Sequence, residues 1–289
     1  MGEGAVLGES EVPGDCPPAS LSTTAAMRAA QAAAACRRAA GAAARQSALH
    51  TPPPPPPLFD HPTHVPLTPI QRALVALTSG IGALADPRRA DLVAAAADAG
   101  GGGAWAAAAA RMAAAPGVQV VLAERRRVTR ETLAAAAACG EGSFGAAYAS
   151  FMASRRFDPL SRPPVRYVDG AGAAYAALRA RECHDYWHAL FNVPTSLLGE
   201  VALKAVECVQ LGLPAAGLGA VGAAFRLSRA DRARLPSVLP WAARAGGRAA
   251  DLVCLDYEAA FGEDLGAVRE RWRVSPALAE WWEVAQGEP

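Results

Sequence analysis

Alanine makes up 72 of the 289 residues, and almost no stretch alternates apolar with polar side chains as a half-buried strand does. Alanine is the strongest helix former but has little side chain to bury. A chain of this kind is constrained to helices, with its larger apolar residues gathered in a few places. The apolar fraction of 52% therefore overstates the core, and aromatic residues are only 6%. Lys204 is the single lysine against 27 arginines. That bias, like the alanine, glycine and proline content, follows GC-rich codons, so alanine runs are weak evidence of function.

Several classes are excluded at this level. A net charge of +1 argues against a general nucleic-acid binder. The cysteines at positions 16, 36, 139, 183, 208 and 254 include no C-x-x-C pair and are too sparse for a disulfide framework. No strongly apolar run reaches the roughly 18 residues of a spanning helix.

Residues 1–26 carry Glu3, Glu9, Glu11 and Asp15 and no base, whereas residues 27–50 carry Arg28, Arg37, Arg38 and Arg45 and no acid. An acid-free, arginine-bearing, alanine-rich helix former has the make-up of an organelle transit peptide. A disordered alanine-rich tail is the alternative reading, and Met27 is a candidate translation start. Val6 stands where a myristoylation signal needs serine or threonine. The prolines 52–57 form a stiff spacer, or alternatively a ligand for proline-reading domains. The expected organisation is a transit peptide and Pro-rich linker over 1–60, one domain over 61–278 and a tail over 279–289.

Thr68-Pro69 is an N-cap followed by proline at the first helical position, opening a helix to about Leu84. Asp86-Pro87 repeats the device for a helix to about Ala99, which a mobile loop at Gly100–Gly103 ends. Helices are predicted over about 104–115, 117–125 and 129–138, then from the Ser143 cap to about Arg156. The proline-rich stretch 157–169 reads as an extended connection. Further helices are predicted over about 171–192, 195–211, 214–227, 231–245, 248–260 and 263–272. The fold class is all-α. Gly140-Glu-Gly-Ser-Phe-Gly145 matches a dinucleotide fingerprint by letter, but it lacks the preceding strand and the later acid. It reads as a corner between helices.

The chemistry concentrates in Cys183-His-Asp-Tyr-Trp-His188 and in Glu200, beyond the Asn192-Val-Pro-Thr195 break. Four residues apart on a helix, His184 and His188 share a face and can grip one ion. Asp185 can reach that ion from the side or hold an imidazole from behind. Glu200 lies early in the next helix, which can fold back over the ion. Two imidazoles and two carboxylates suit zinc, and also iron or manganese. A polar surface patch is the competing reading. Trp187, Leu190, Phe191, Leu197 and Leu198 around it argue for a packed face, where such groups without an ion are costly.

The pattern His184-Asp185-x-x-His188, eleven residues, Glu200 resembles the hallmark of the ubiquinone (coenzyme Q) biosynthesis protein family that acts at ring carbon C1. In order along the chain, His64-Val-Pro-Leu-Thr-Pro-Ile-Gln-Arg72, Asp86-Pro-Arg88, the 140–145 corner, Arg162-Pro-Pro-Val-Arg-Tyr167 and Gly199-Glu-Val-Ala-Leu-Lys204 also resemble family landmarks. So do Tyr257-Glu258, Leu265, Arg269 and Pro276. The resemblance covers roughly 61–278. Two departures stand: 98–110 is a degenerate Gly/Ala stretch, and the chain runs on to Trp281-Trp282.

The resemblance implies an all-α fold and a zinc ion held by His184, Asp185, His188 and Glu200. It also implies a peripheral protein on the matrix face of the mitochondrial inner membrane, in a complex with other ubiquinone-biosynthesis proteins. The implied activity is metal-dependent removal of the C1 carboxyl group from a 4-hydroxy-3-methoxy-5-polyprenylbenzoate, giving a 2-methoxy-6-polyprenylphenol. The alternative function is a non-catalytic organiser that binds prenylated intermediates, with zinc as a fold staple.

Two features leave open readings. Lys204, four residues after Glu200, is either its helix-face ion-pair partner or a cation for the substrate carboxylate. The glycine-bearing apolar stretch 209–227 is either an ordinary core helix or a groove for a polyprenyl tail.

Overall fold

The computed structural model describes residues 62–86, 89–213 and 222–282. The expectations for the leader and proline tract, and for most of the 214–227 helix, lie outside these residues. Within them the regular elements are helical: α1 (Pro69–Ala85), α2 (Ala90–Gly100), α3 (Gly102–Ala114), α4 (Gln119–Glu124), α5 (Arg130–Ala137), α6 (Phe144–Arg155), α7 (Ala171–Phe191), α8 (Leu197–Leu211), α9 (Arg229–Arg248) and α10 (Leu265–Arg271). A single isolated bridge, Ser143 to Asp264, is the sole β pairing among the described residues. The protein is all-α.

α7 is the axis of the molecule. Sixteen of its 21 residues are buried, so its polar side chains need partners inside the protein. α3 and α6 pack along it, α5 lies on α6, and α9 packs on α8. Phe144, Tyr148, Tyr186, Tyr257, Phe261 and Trp272 form one aromatic cluster at the α6–α7 side. Ion pairs fix α7 to its surroundings, among them Arg179 with Glu258, Arg181 with Asp98, and Glu182 with Arg127. The segment entering α1 is tied to the extended 157–169 connection, where His64 and Arg72 both meet Asp169 and Arg72 also donates to the Tyr167 carbonyl.

The Thr68 cap forms as expected, with a capping box to Gln71, and Ser143 caps α6. Other expectations are corrected. Asp86 ends α1 and does not start α2, whose N-cap is Arg89 without a side-chain cap bond. The glycine run is no loop: the helix breaks at Gly101 alone and resumes at Gly102. A Cβ on Gly101 would lie 2.6 Å from both the Ala97 carbonyl oxygen and Trp105 Nε1, so the break is a packed corner. The helix predicted over 248–260 is instead two 3-10 turns, Leu252–Cys254 and Glu258–Ala260. There Asp251 and Asp256 turn outward to Arg111 and Arg126 while Leu252, Val253 and Tyr257 point into the core. The 195–211 helix is capped by Ser196 and starts at Leu197. Trp281, which sequence left unplaced, packs edge-on against Trp241, and Trp282 donates its indole N–H to the Asn192 carbonyl.

Candidate metal centre

α7 ends at Asn192, whose left-handed backbone (φ 53°) turns the chain toward α8. Ser196 caps α8 by accepting from the Gly199 amide. The turn is tight: a Cβ on Gly199 would sit 2.0 Å from the Pro194 carbonyl oxygen. This corner sets Glu200 over the C-terminal half of α7. Glu200, Lys204 and Glu207 follow i, i+4, i+7 spacing, so they line one face of α8. That face meets the histidines.

His184 and His188 are buried, 6% and 2% exposed. Their Nε2 atoms stand 3.1 Å apart. Glu200 closes the triangle, with carboxylate oxygens 3.5 Å from His184 Nε2 and 3.2 Å from His188 Nε2. On the far edges, His188 Nδ1 lies 2.9 Å from the Val193 carbonyl and His184 Nδ1 lies 2.5 Å from a Glu207 oxygen. The other Glu207 oxygen accepts from the Lys204 ammonium at 2.6 Å. Phe151 stacks on the His188 ring at 5.0 Å between centroids.

These contacts fix the tautomers. A carbonyl oxygen only accepts, so His188 Nδ1 donates. Glu207 is ionised: burial works against its charge, but the Lys204 ammonium and His184 bring its carboxyl down to about 2. His184 Nδ1 therefore donates as well. In the neutral rings each Nε2 then carries a lone pair into the same gap as the Glu200 carboxylate, and three acceptors converge with no donor between them. Bonds of about 2.0–2.1 Å to a tetrahedral zinc place donors about 3.3 Å apart, and the observed separations are 3.1–3.5 Å. The donor set fits a divalent cation, with zinc, iron and manganese all compatible.

The electrostatics agree with a cation-binding gap. Burial opposes charge on Glu200, but the adjacent His184 and His188 hold its carboxyl far below the usual range. Burial lowers His184, yet the Glu207 carboxylate outweighs it and leaves the imidazole more basic than usual.

Of the residues singled out in the sequence, His184, His188 and Glu200 come together as one group, their ligand atoms within 4.8 Å. Asp185 does not join it. Its carboxylate pairs with Arg162 at 2.5 Å. Lys204 does not pair with Glu200, as its i+4 spacing suggests, but with Glu207. Sequence reasoning missed Glu207 and the pairing of Arg162. Glu207 carried one signal, its place on the same α8 face as Glu200. A cleft of about 320 Å³ reaches His188 past Phe151, Asn192 and Arg269, and neither His184 nor Glu200 lines it.

Fold and centre thus define an all-α protein with two buried histidines and a half-buried glutamate converging on one gap. The family model described as coenzyme Q (ubiquinone) biosynthesis protein Coq4 matches residues 61–277. A mitochondrial ubiquinone biosynthesis protein COQ4 of Arthroderma otae is 37% identical over 210 residues, covering 71% of this chain and 78% of the relative. An Aedes aegypti homologue with a corresponding name is 36% identical over 213 residues, covering 73% and 78%. A Nostoc punctiforme crystal structure, titled as a ubiquinone biosynthesis protein, shares the fold with a TM-score of 0.55 at 21% identity, covering 69% of this chain and 97% of that one. The chain belongs to the Coq4 family of ubiquinone biosynthesis proteins.

Proposed function

We propose that this protein is a metal-dependent aromatic carboxy-lyase of ubiquinone biosynthesis, removing the C1 carboxyl group of a 4-hydroxy-3-methoxy-5-polyprenylbenzoate. The reaction breaks the bond from C1 to the carboxyl carbon and releases CO₂, leaving the electron pair on C1, where a proton from water replaces the carboxyl group. A divalent cation, held by His184, His188 and Glu200, would supply Lewis-acid polarisation of a substrate phenol or carboxylate oxygen. The observation that carries this reading is the engagement of Asp185 by Arg162. Four protein ligands would close a tetrahedral site, as structural zinc does, whereas three leave a position for substrate. That favours a lyase over a zinc-stapled organiser.

The surrounding residues have defined tasks. Glu207 and the Val193 carbonyl orient the two imidazoles, and Lys204 holds Glu207. To Arg162, the cation paired with Asp185, we assign the substrate carboxylate. Burial lowers its basicity, but Asp185 and, beyond it, Glu200 and Glu207 outweigh that and keep the guanidinium charged. The names of the relatives support a mitochondrial location. The polyprenyl tail of the substrate fits a peripheral position on the matrix face of the inner membrane, beside other ubiquinone-biosynthesis proteins. The test incubates purified, metal-loaded protein with a short-chain prenylated 4-hydroxy-3-methoxybenzoate and measures CO₂. Release that Glu200→Ala abolishes is expected. No release above a protein-free control, with the metal confirmed in place, overturns the reading.

A further inference from the structure

α1 carries an apolar ridge that the rest of the described protein leaves bare. Ile70, Leu74, Leu77, Ile81 and Leu84 recur at spacings of four and three, which places them on one helix face. They are 75%, 55%, 61%, 59% and 42% exposed. The opposite face, with Val75, Ala76 and Ser79, packs on α2. No charge interrupts the ridge: Arg72, the sole charged residue of α1, turns away to Tyr167 and Asp169.

The ridge ends in a basic, aromatic corner. Arg226 donates to the carbonyls of Leu84 and Ala85, which brings Phe225, 79% exposed, to the Leu84 end of α1. Arg226, Arg229 and Arg232 are exposed here, and none forms an ion pair among the described residues. Arg226 and Arg232 instead donate to backbone carbonyls. The nearby Asp231 is taken by Arg234. An aliphatic helix face beside an exposed phenylalanine and unneutralised arginines matches what an anionic bilayer offers, acyl chains below and phosphates at headgroup level. A second copy of the same ridge would bury the aliphatic side chains, but the ridge itself carries no carboxylate to meet the arginines, and Asp86 stands beyond its end. Among the described residues no single helix is long and apolar enough to cross a membrane, and α1 is suited to lying in the interface plane.

We infer that α1 is a membrane-docking helix, with Ile70, Leu74, Leu77, Ile81 and Leu84 seated among acyl chains and Arg226, Arg229 and Arg232 on anionic lipid headgroups. The inference rests on the membrane-surface placement proposed above and names the face responsible. In this orientation α1 anchors a protein whose substrate tail lies in the same bilayer.

The test is flotation of the full chain with vesicles of phosphatidylcholine alone or with about a quarter phosphatidylglycerol. Binding to the anionic vesicles is expected, weakening as salt rises. Leu77→Glu with Ile81→Glu should reduce it on the order of tenfold or more, since two apolar anchors become charges. Both positions are exposed, so helix content and bound metal should hold. Arg229→Gln should weaken binding to anionic vesicles and leave binding to neutral ones unchanged. Wild-type flotation by the double variant overturns the inference, as does failure of the wild type to float. A double variant that floats normally but loses self-association marks the ridge as a contact between copies and equally overturns it. CO₂ release from a water-soluble short-chain substrate should be unaffected by the double variant, so a failure of docking and a failure of the lyase reading are distinguishable.

Discussion

His184 and His188 point their Nε2 atoms at each other across 3.1 Å while each donates its Nδ1–H out of the gap. The two outer hydrogen bonds therefore decide the inner chemistry. Were either ring turned over, the gap would hold a donor and lose its affinity for a cation. The arrangement places the weight of the centre on Glu207 and on the Val193 carbonyl as much as on the ligands themselves.

Glu207→Gln should expose that dependence. The amide retains one acceptor for His184 but loses the charge that raises the basicity of the ring. Outer partners of this kind are worth about 10–100-fold in metal affinity. Competition with a chromophoric chelator should show a loss in that range with unchanged circular dichroism. Unchanged affinity would mean that Glu207 serves packing only.

Asp185→Asn separates a three-residue centre from a four-residue one. If Asp185 only holds Arg162, the variant keeps its metal and loses turnover, with a raised KM for the benzoate. Loss of the metal together with turnover would make Asp185 a ligand.

Gly199→Ala tests the corner that delivers Glu200. The added methyl would overlap the Pro194 carbonyl at 2.0 Å, so the start of α8 must move. A loss of about 1–3 kcal/mol is expected from denaturant unfolding, with weakened metal binding. Gly103→Ala, inside α3 with nothing within 4 Å of the new methyl, should instead stabilise by about 0.5–1 kcal/mol.

The Arg179–Glu258 pair predicts an acid limb of stability. Arg179 is 1% exposed and bidentate to Glu258, at 2.8 and 2.5 Å. Burial raises the Glu258 carboxyl, but Arg179 outweighs it and leaves it below its ordinary 4.5. A carboxyl lowered on folding contributes fully above its unfolded value and loses that contribution as pH falls through the folded one. Stability should therefore decline as pH drops below about 4.5. Glu258→Gln should flatten that limb and cost about 3–5 kcal/mol at neutral pH by stranding a buried guanidinium. A wild-type slope retained in the variant would assign the limb to other carboxylates.

The local features were readable in the sequence. Thr68 and Ser143 announce their helices because a cap bonds only its own first turn, and the His184–His188 spacing fixes a shared face. What escaped depends on distant packing. Glu207 reaches His184 across two helices, and Asp185 is drawn off by Arg162 from a proline-rich connection with no period of its own. Residues 248–260 read as helix by composition, yet salt bridges to Arg111 and Arg126 and the inward Tyr257 settle them as short turns.

The most direct test of the centre is the metal content and X-ray absorption spectrum of the full chain purified without added chelator. One divalent ion per chain is expected, with two imidazole ligands and the remaining donors oxygen, and with loss of that ion in His188→Ala while helix content is retained. A metal-free chain that fails to take up zinc, iron or manganese, or an ion bound unchanged in His188→Ala, would contradict it.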